Sequence, residues 1–416
     1  MACAGDYAQT ISPDQEDRMF QPPRIAILGA GPIGLETALG AAQRGWPFTV
    51  YEAAPTVAGH VRRWSHVRLF TPWSMNVSER MASALRRSGV DVPEGDELPT
   101  GSQLVERLYD PVARLPELEG AIRTGTRVEA VGRERLLKHE EIGTGARGEH
   151  PFRLLLTDPD GEEVVESADV VVDCTGTYGN PNALGDGGIP APGERAFADR
   201  IVQLLPDFPA EREAWAGRTI LLTGAGHSAQ TAALQLAEFA RDADGTRVIW
   251  AVRAQEPTWG RVEGDPLPER ARLNSAAEEL ASGASPAVEL RRGTVTDALH
   301  REGEQVAVTL RNGTLEDVVV DRVLGLNGGV GDHAIYRQLQ VHECYATSGP
   351  MKLAAALLGG SGGDCLAQES HGAETLINPE PGFFLLGAKS YGSNSQFLLR
   401  IGWDQVDDVL GLLEAR

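Results

Sequence analysis

The chain has 416 residues, with 59 acidic and 38 basic side chains and a formal net charge of −21. That length gives room for two or three domains. The negative field argues against general binding to nucleic acid or to an anionic membrane surface, and no apolar run approaches the roughly 18 residues of a membrane helix.

Residues 1–22 are polar and acidic, without the basic and apolar regions of a signal peptide, and read as a flexible tail. The first structured motif follows at once. A short apolar strand, Arg24-Ile-Ala-Ile-Leu, runs into Gly29-Ala-Gly31-Pro32-Ile33-Gly34 and then into a helix through Arg44. In such a turn the first glycine makes the tight bend. The second lets backbone approach a pyrophosphate, and the third lets helix and strand pack closely. The phosphates sit on the N–H groups and positive dipole of the helix N-terminus. The next strand, Phe48 to Glu52, ends in an acid placed to bind ribose hydroxyls. A carboxylate there repels a 2′-phosphate, so the site suits FAD or NAD.

Further along, Phe152 to Val165 reads as a hairpin around Pro159-Asp160-Gly161, leading to a buried strand, Asp169 to Asp173, that ends at Cys174-Thr175-Gly176. The glycine turn then recurs. Arg218-Thr-Ile-Leu-Leu-Thr runs into Gly224-Ala-Gly226-His227-Ser228-Ala229 and a helix through Ala240. Ser228 is placed to cap that helix and touch phosphate. The following strand, Arg247 to Arg253, ends in a base, and a planar guanidinium suits a 2′-phosphate. The second site therefore reads as one for NADPH. A second hairpin, around Asn312-Gly313, leads to a strand ending at Asn327-Gly328. Both halves share one order: nucleotide βαβ, hairpin, strand ending at a glycine.

Four scattered cysteines, Cys3, Cys174, Cys344 and Cys365, form no Cys-x-x-Cys pair and suggest a reducing cytoplasm. The nine histidines show no metal-ligand spacing.

The two glycine motifs, Glu52 and the Thr175-Gly176 strand end resemble the flavoproteins with two dinucleotide-binding domains, which include disulfide reductases and class B flavin monooxygenases. The resemblance covers roughly residues 23–416. It implies an α/β fold of two Rossmann-like, three-layer units, the NADPH unit (199–331) inserted into the FAD unit (23–198 and 332–416). By the same resemblance the stretch carrying Arg62, Trp64, Leu69, Phe70 and Thr71 lines the isoalloxazine, and Val128 lies on a strand whose backbone meets the adenine. Asn76 matches an asparagine that steadies the oxygenated flavin or holds the nicotinamide ribose. The segment around Gly387 and Lys389 returns to the flavin. Two departures stand out. Disulfide reductases carry a Gly-Asp pair where this chain has Ala388-Lys389, and flavin monooxygenases carry a Phe-x-Gly-x-x-x-His fingerprint that does not continue after Phe197.

Three chemistries fit the scaffold. A disulfide reductase needs a redox dithiol, for which no Cys-x-x-Cys exists. A monooxygenase needs NADPH, FAD, O2, a small-molecule substrate and a water-poor pocket, and no metal or catalytic triad. A reductase passing electrons to a small acceptor or thiol partner uses the same two sites. A flavin-bound redox sensor is the non-enzymatic reading. Monooxygenation is the expectation taken to the structure, with a homodimer left open.

Overall fold

The computed structural model describes residues 22–359 and 370–415. Cys3, Cys365 and nearly all of the expected tail lie outside the described residues.

Strand β1 (Ile25–Leu28), helix α1 (Pro32–Gln43) and strand β2 (Phe48–Glu52) form the first βαβ unit. With β3 (Ile122–Thr124), β7 (Val170–Asp173) and β16 (Phe383–Leu385) they build a five-stranded parallel sheet in the order β16-β7-β1-β2-β3. Its strands come from both ends of the chain. On one side the sheet meets helices, and on the other an antiparallel sheet of β4 (Arg127–Arg133), β5 (Phe152–Thr157) and β6 (Glu163–Ala168).

Alternation along β1 shows why both faces are covered. Ile25 and Ile27 join the core beneath the helices, whereas Ala26 and Leu28 join Phe152, Leu154 and Leu156 beneath the antiparallel sheet. Successive side chains point to opposite faces, so an all-apolar strand needs a layer on each side.

The second unit repeats the scheme. Strand β9 (Thr219–Thr223), helix α2 (His227–Asp242) and β10 (Arg247–Ala251) lie in a parallel sheet of order β11-β10-β9-β15-β8. The other strands of that sheet are β8 (Ile201–Val202), β11 (Val288–Arg291) and β15 (Arg322–Gly325). An antiparallel sheet of β12 (Val295–Glu302), β13 (Gln305–Asn312) and β14 (Thr314–Val320) covers one face. Ile220 and Leu222 face the helices, while Leu221 faces Val306 and Val308. Asn312 pairs with Thr314 around Gly313, as the Asn-Gly signal implies. This is the expected α/β fold, with the second Rossmann-like unit inserted into the first. One boundary differs: β10 ends at Ala251, so Arg253 stands two residues beyond the strand rather than at its end.

The two passages between the units run side by side. Asn182 donates to the Gly328 carbonyl at 2.9 Å, Val330 donates to the Asn180 carbonyl at 3.2 Å, and Pro181 and Gly329 form an antiparallel bridge. The C-terminal helix α3 (Leu399–Glu414) packs on α1, where Gly402 and Gly40 leave room for Ile33 and Leu410. A buried triad fastens the returning segment. Glu380 accepts from Arg133 Nε at 2.7 Å, Arg147 Nε at 2.9 Å and the Gln340 backbone N–H at 2.7 Å. Both guanidinium groups share the one carboxylate, the kind of pairing by which buried ions are tolerated, although Arg147 Nη2 is left without a partner.

Candidate dinucleotide sites

Each glycine turn has the geometry its sequence calls for. Gly29 and Gly224 adopt φ of +96° and +112°, a region that favours glycine. A Cβ on Gly34 would strike the Gly29 carbonyl oxygen, and Ala229, at the matching place in the second turn, is fully buried. By contrast a Cβ on Gly31 or Gly226 would meet nothing within 4 Å. The middle glycine of each turn thus faces open space beside the first turn of a helix, with Pro32 opening α1 and His227 opening α2. Neither N-cap glycine supplies a side-chain bond, so the first N–H groups remain available to an anion. The helix begins one residue before the expected cap. Ser228 is therefore an exposed residue of the first turn, and Gly226 is the N-cap.

Glu52 closes the first cradle. Its carboxylate accepts from the Ala30 N–H at 2.8 Å and the Ala54 N–H at 2.8 Å, which fixes it against the turn with lone pairs to spare. Val128 is buried on β4, beside a bulge between Val128 and Ala130. The second cradle is braced by Trp250, whose Nε1 donates to the Gly224 carbonyl at 2.9 Å. Arg253 is exposed and has no ion pair, whereas its neighbours are engaged: Arg261 with Glu278, Arg270 with Asp265 and Arg272 with Glu269.

The stretch after β2 reaches from one unit to the other. Arg62 donates from Nε to the Val57 carbonyl at 3.0 Å and pairs with Asp110. Trp64 lies over Gly101, its ring 6.2 Å from that of Tyr178. Leu69 is tied by its N–H to the Pro99 carbonyl at 2.9 Å. Phe70 meets the edge of His227 at 5.5 Å, so a side chain of the first unit touches the second glycine turn. Burial, helped by Arg270, holds the His227 pKa below its ordinary value. Several buried ring nitrogens here have no partner: His60 Nδ1, Trp64 Nε1, His66 Nε2 and His227 Nε2. Buried polar groups are normally satisfied, so orphans beside two open cradles fit sites that bind ligands.

Asn76 is buried at the end of a single helical turn, Trp73–Asn76. Its amide nitrogen donates to the Thr71 carbonyl at 2.8 Å, Thr71 Oγ1 at 2.9 Å and the Pro72 carbonyl at 2.7 Å. Both amide hydrogens are thus spent inside its own turn. Lys389 is also buried. Its Nζ donates to Asp173 Oδ2 at 2.6 Å, Thr175 Oγ1 at 3.1 Å and the Asp332 carbonyl at 2.6 Å, 5.1 Å from the centre of the Tyr336 ring. Thr175 completes the cluster by donating its N–H and hydroxyl to Asp173. Gly176 follows with φ of +70°, and the Gly387 N–H donates to Gln405 at 2.8 Å. The Lys389 cluster joins the floor of the first unit to both passages. Sequence reasoning placed Lys389 against the cofactor and gave no sign of its link to Asp173.

Of the described cysteines, Cys174 and Cys344 are free thiols. The Cys174 thiol faces Thr37 Oγ1 at 3.9 Å, and burial pushes its pKa well above the thiol range. Among the described residues no group of histidine, cysteine and carboxylate side chains is arranged to hold a metal, and no helix is long and apolar enough to cross a membrane.

This α/β fold is shared with solved structures of disulfide reductases and monooxygenases. The chain superposes on bacillithiol disulfide reductase from Bacillus cereus with a TM-score of 0.68 at 18% identity, over 95% of this chain and 100% of that one. It superposes on a cadaverine monooxygenase from Erwinia amylovora, solved bound to FAD, with a TM-score of 0.65 at 14% identity, over 94% of each chain. Ornithine N-hydroxylase from Kutzneria sp. 744, solved with reduced FAD, NADP+ and L-ornithine, gives a TM-score of 0.58 at 13% identity, over 95% of this chain and 99% of that one. No family model and no curated protein sequence matches the chain.

Proposed function

We propose that the chain is an FAD- and NADPH-dependent oxidoreductase, with FAD in the outer unit (23–198 and 332–416) and NADPH in the inserted unit (199–331). The observation that carries this reading is the pair of cradles, each with an open middle glycine and a packed third position. The residues fit the two cofactors. Gly29, Gly31, Pro32, Ile33 and Gly34 hold the pyrophosphate of FAD, Glu52 accepts its ribose hydroxyls and the β4 backbone at Val128 borders its adenine. Gly224, Gly226, His227, Ser228 and Ala229 hold the pyrophosphate of NADPH, and the free Arg253 engages its 2′-phosphate.

Bound there, the pair would supply hydride transfer from NADPH to the flavin and delivery of two electrons to an acceptor. Monooxygenation, with O2 as acceptor and a small molecule as substrate, is the reading we favour. Cys174 is half-buried, desolvation holds its thiol protonated, and the described residues contain no dithiol for disulfide exchange. Trp64 and Phe70 wall the junction and restrict water, as such chemistry needs. Asn76 enters as a positioning residue. It fixes the turn that presents Phe70 and Thr71, since its amide has no hydrogen left to give. Lys389, with Thr175 and Gly387, supports the floor.

A reductase serving a small acceptor or thiol partner is the second reading, supported by the likeness to bacillithiol disulfide reductase. One experiment separates the two. The FAD-reconstituted protein is reduced with NADPH without oxygen, air is admitted, and peroxide and oxygenated product are counted over a substrate panel. Oxygen incorporated into product supports the monooxygenase. All reducing equivalents recovered as peroxide or reduced acceptor would overturn it, and failure of NADPH to bleach the flavin would overturn both readings.

A further inference from the structure

Beside the junction lies a cavity of about 330 Å³ that none of the cofactor contacts above accounts for. Its wall combines Tyr178 with Ile201, Val202, Gln203 and Leu204 from the edge of the second unit, and Arg63 from the first. Arg63 is the one charged residue in the lining. It is exposed and forms no ion pair, in a chain where most arginines near an acid are engaged. The lining contains no carboxylate, although acids outnumber bases by 59 to 38 in the whole sequence. Behind Tyr178 stand the rings of His60, at 6.0 Å, and Trp64, at 6.2 Å. His60 Nδ1 and Trp64 Nε1 are buried without partners. The pKa of His60 is lowered by burial first and then by the charges of Arg63 and Arg127. Two cations therefore act on this corner, and of these Arg127 is paired with Glu129 whereas Arg63 has no ion-pair partner.

We propose that this cavity is the substrate subsite and that it takes a small organic carboxylate, with Arg63 binding the carboxylate and Tyr178, Ile201, Val202 and Leu204 flanking an apolar or aromatic body. The assignment rests on the oxidoreductase reading for its word "substrate", and on the cavity alone for its ligand class. A planar guanidinium binds carboxylate through paired N–H donors, which an amide or an amine does not reproduce. The volume sits at the low end for ligand sites. At about 30 Å³ per non-hydrogen atom, the share a water takes in the liquid, it holds roughly ten such atoms.

Phenylacetate, phenylacetamide and phenethylamine share that size and differ in charge. Titrated calorimetrically into the FAD-loaded protein, phenylacetate is expected to bind about tenfold or more tighter than the amide, and the amine most weakly. Arg63→Gln should erase the preference for the acid, and Arg63→Lys should keep part of it. Equal binding of acid and amide, binding of none of the three, or an unchanged preference in Arg63→Gln would each overturn the assignment. Arg63 lies outside the packed core, so its variants report on binding. The flavin absorbance, and its bleaching by NADPH, are read in the same samples. Loss of those signals with phenylacetate binding intact sinks the oxidoreductase reading and leaves the carboxylate site. Intact flavin chemistry without acid preference does the reverse.

Discussion

Exchanging Gly31 for alanine separates nucleotide binding from folding. The backbone there has φ of −81° and ψ of −171°, which alanine adopts freely, and the added methyl meets nothing within 4 Å. Stability of the FAD-free protein should therefore stay within about 0.5 kcal/mol of the parent. Binding should not stay the same, because the methyl occupies the space through which backbone N–H groups reach the pyrophosphate. A hydrogen bond to a charged group contributes about 1.5–3 kcal/mol, and each 1.4 kcal/mol is tenfold in Kd. Losing one such bond weakens FAD roughly 10- to 150-fold. Gly34→Ala is the internal control, since its methyl strikes the Gly29 carbonyl and overpacking costs about 1–3 kcal/mol. Urea midpoints of the FAD-free proteins and fluorescence titration with FAD give the two quantities. If Gly31→Ala binds FAD like the parent, or loses as much stability as Gly34→Ala, the reasoning about the open cradle is refuted.

Further outcomes follow from the same geometry. Arg253→Ala should cost tens-fold in NADPH affinity and leave NADH unchanged, measured by titration of each; an unaltered ratio would remove Arg253 from the site. Lys389→Met leaves the fully buried Asp173 uncompensated and should cost about 3–5 kcal/mol in urea unfolding, most of it recovered in the double variant with Asp173→Asn. Arg270 holds the Asp265 carboxyl below its ordinary value of 3.8. That pair's contribution is present above 3.8 and lost as pH falls below it, so Asp265→Asn should flatten stability against pH in the acid range. Iodoacetamide near pH 8 should leave Cys174 unmodified in the folded protein, read by peptide mass spectrometry.

The parts legible in the sequence are those whose causes are local. Each glycine turn needs its residues in consecutive order. Both hairpins are announced by Asp-Gly or Asn-Gly, and β1 and β9 by unbroken apolar runs. Glu52 was legible because the βαβ unit fixes its distance from the turn. The contents of the junction were not. Lys389 meets Asp173 across 216 residues of sequence, and Arg133 meets Glu380 across 247. No spacing rule covers such pairs. Asn76 shows the opposite difficulty: an asparagine that closes its own turn and one that serves a ligand look alike in one dimension. His227 and Phe70 come together only because the second unit is inserted with its cradle turned toward the first.

The side-by-side passages between the units carry a mechanical meaning. Two separate tethers would pin the inserted unit at two points and resist its rotation. Here the outgoing and returning segments are zipped to each other through Asn182, Gly328, Val330 and Asn180, and Lys389 clamps the return at Asp332. The two covalent connections therefore act as a single ribbon with the ammonium group of Lys389 at its base, and Phe70 against His227 adds a contact between the units away from it.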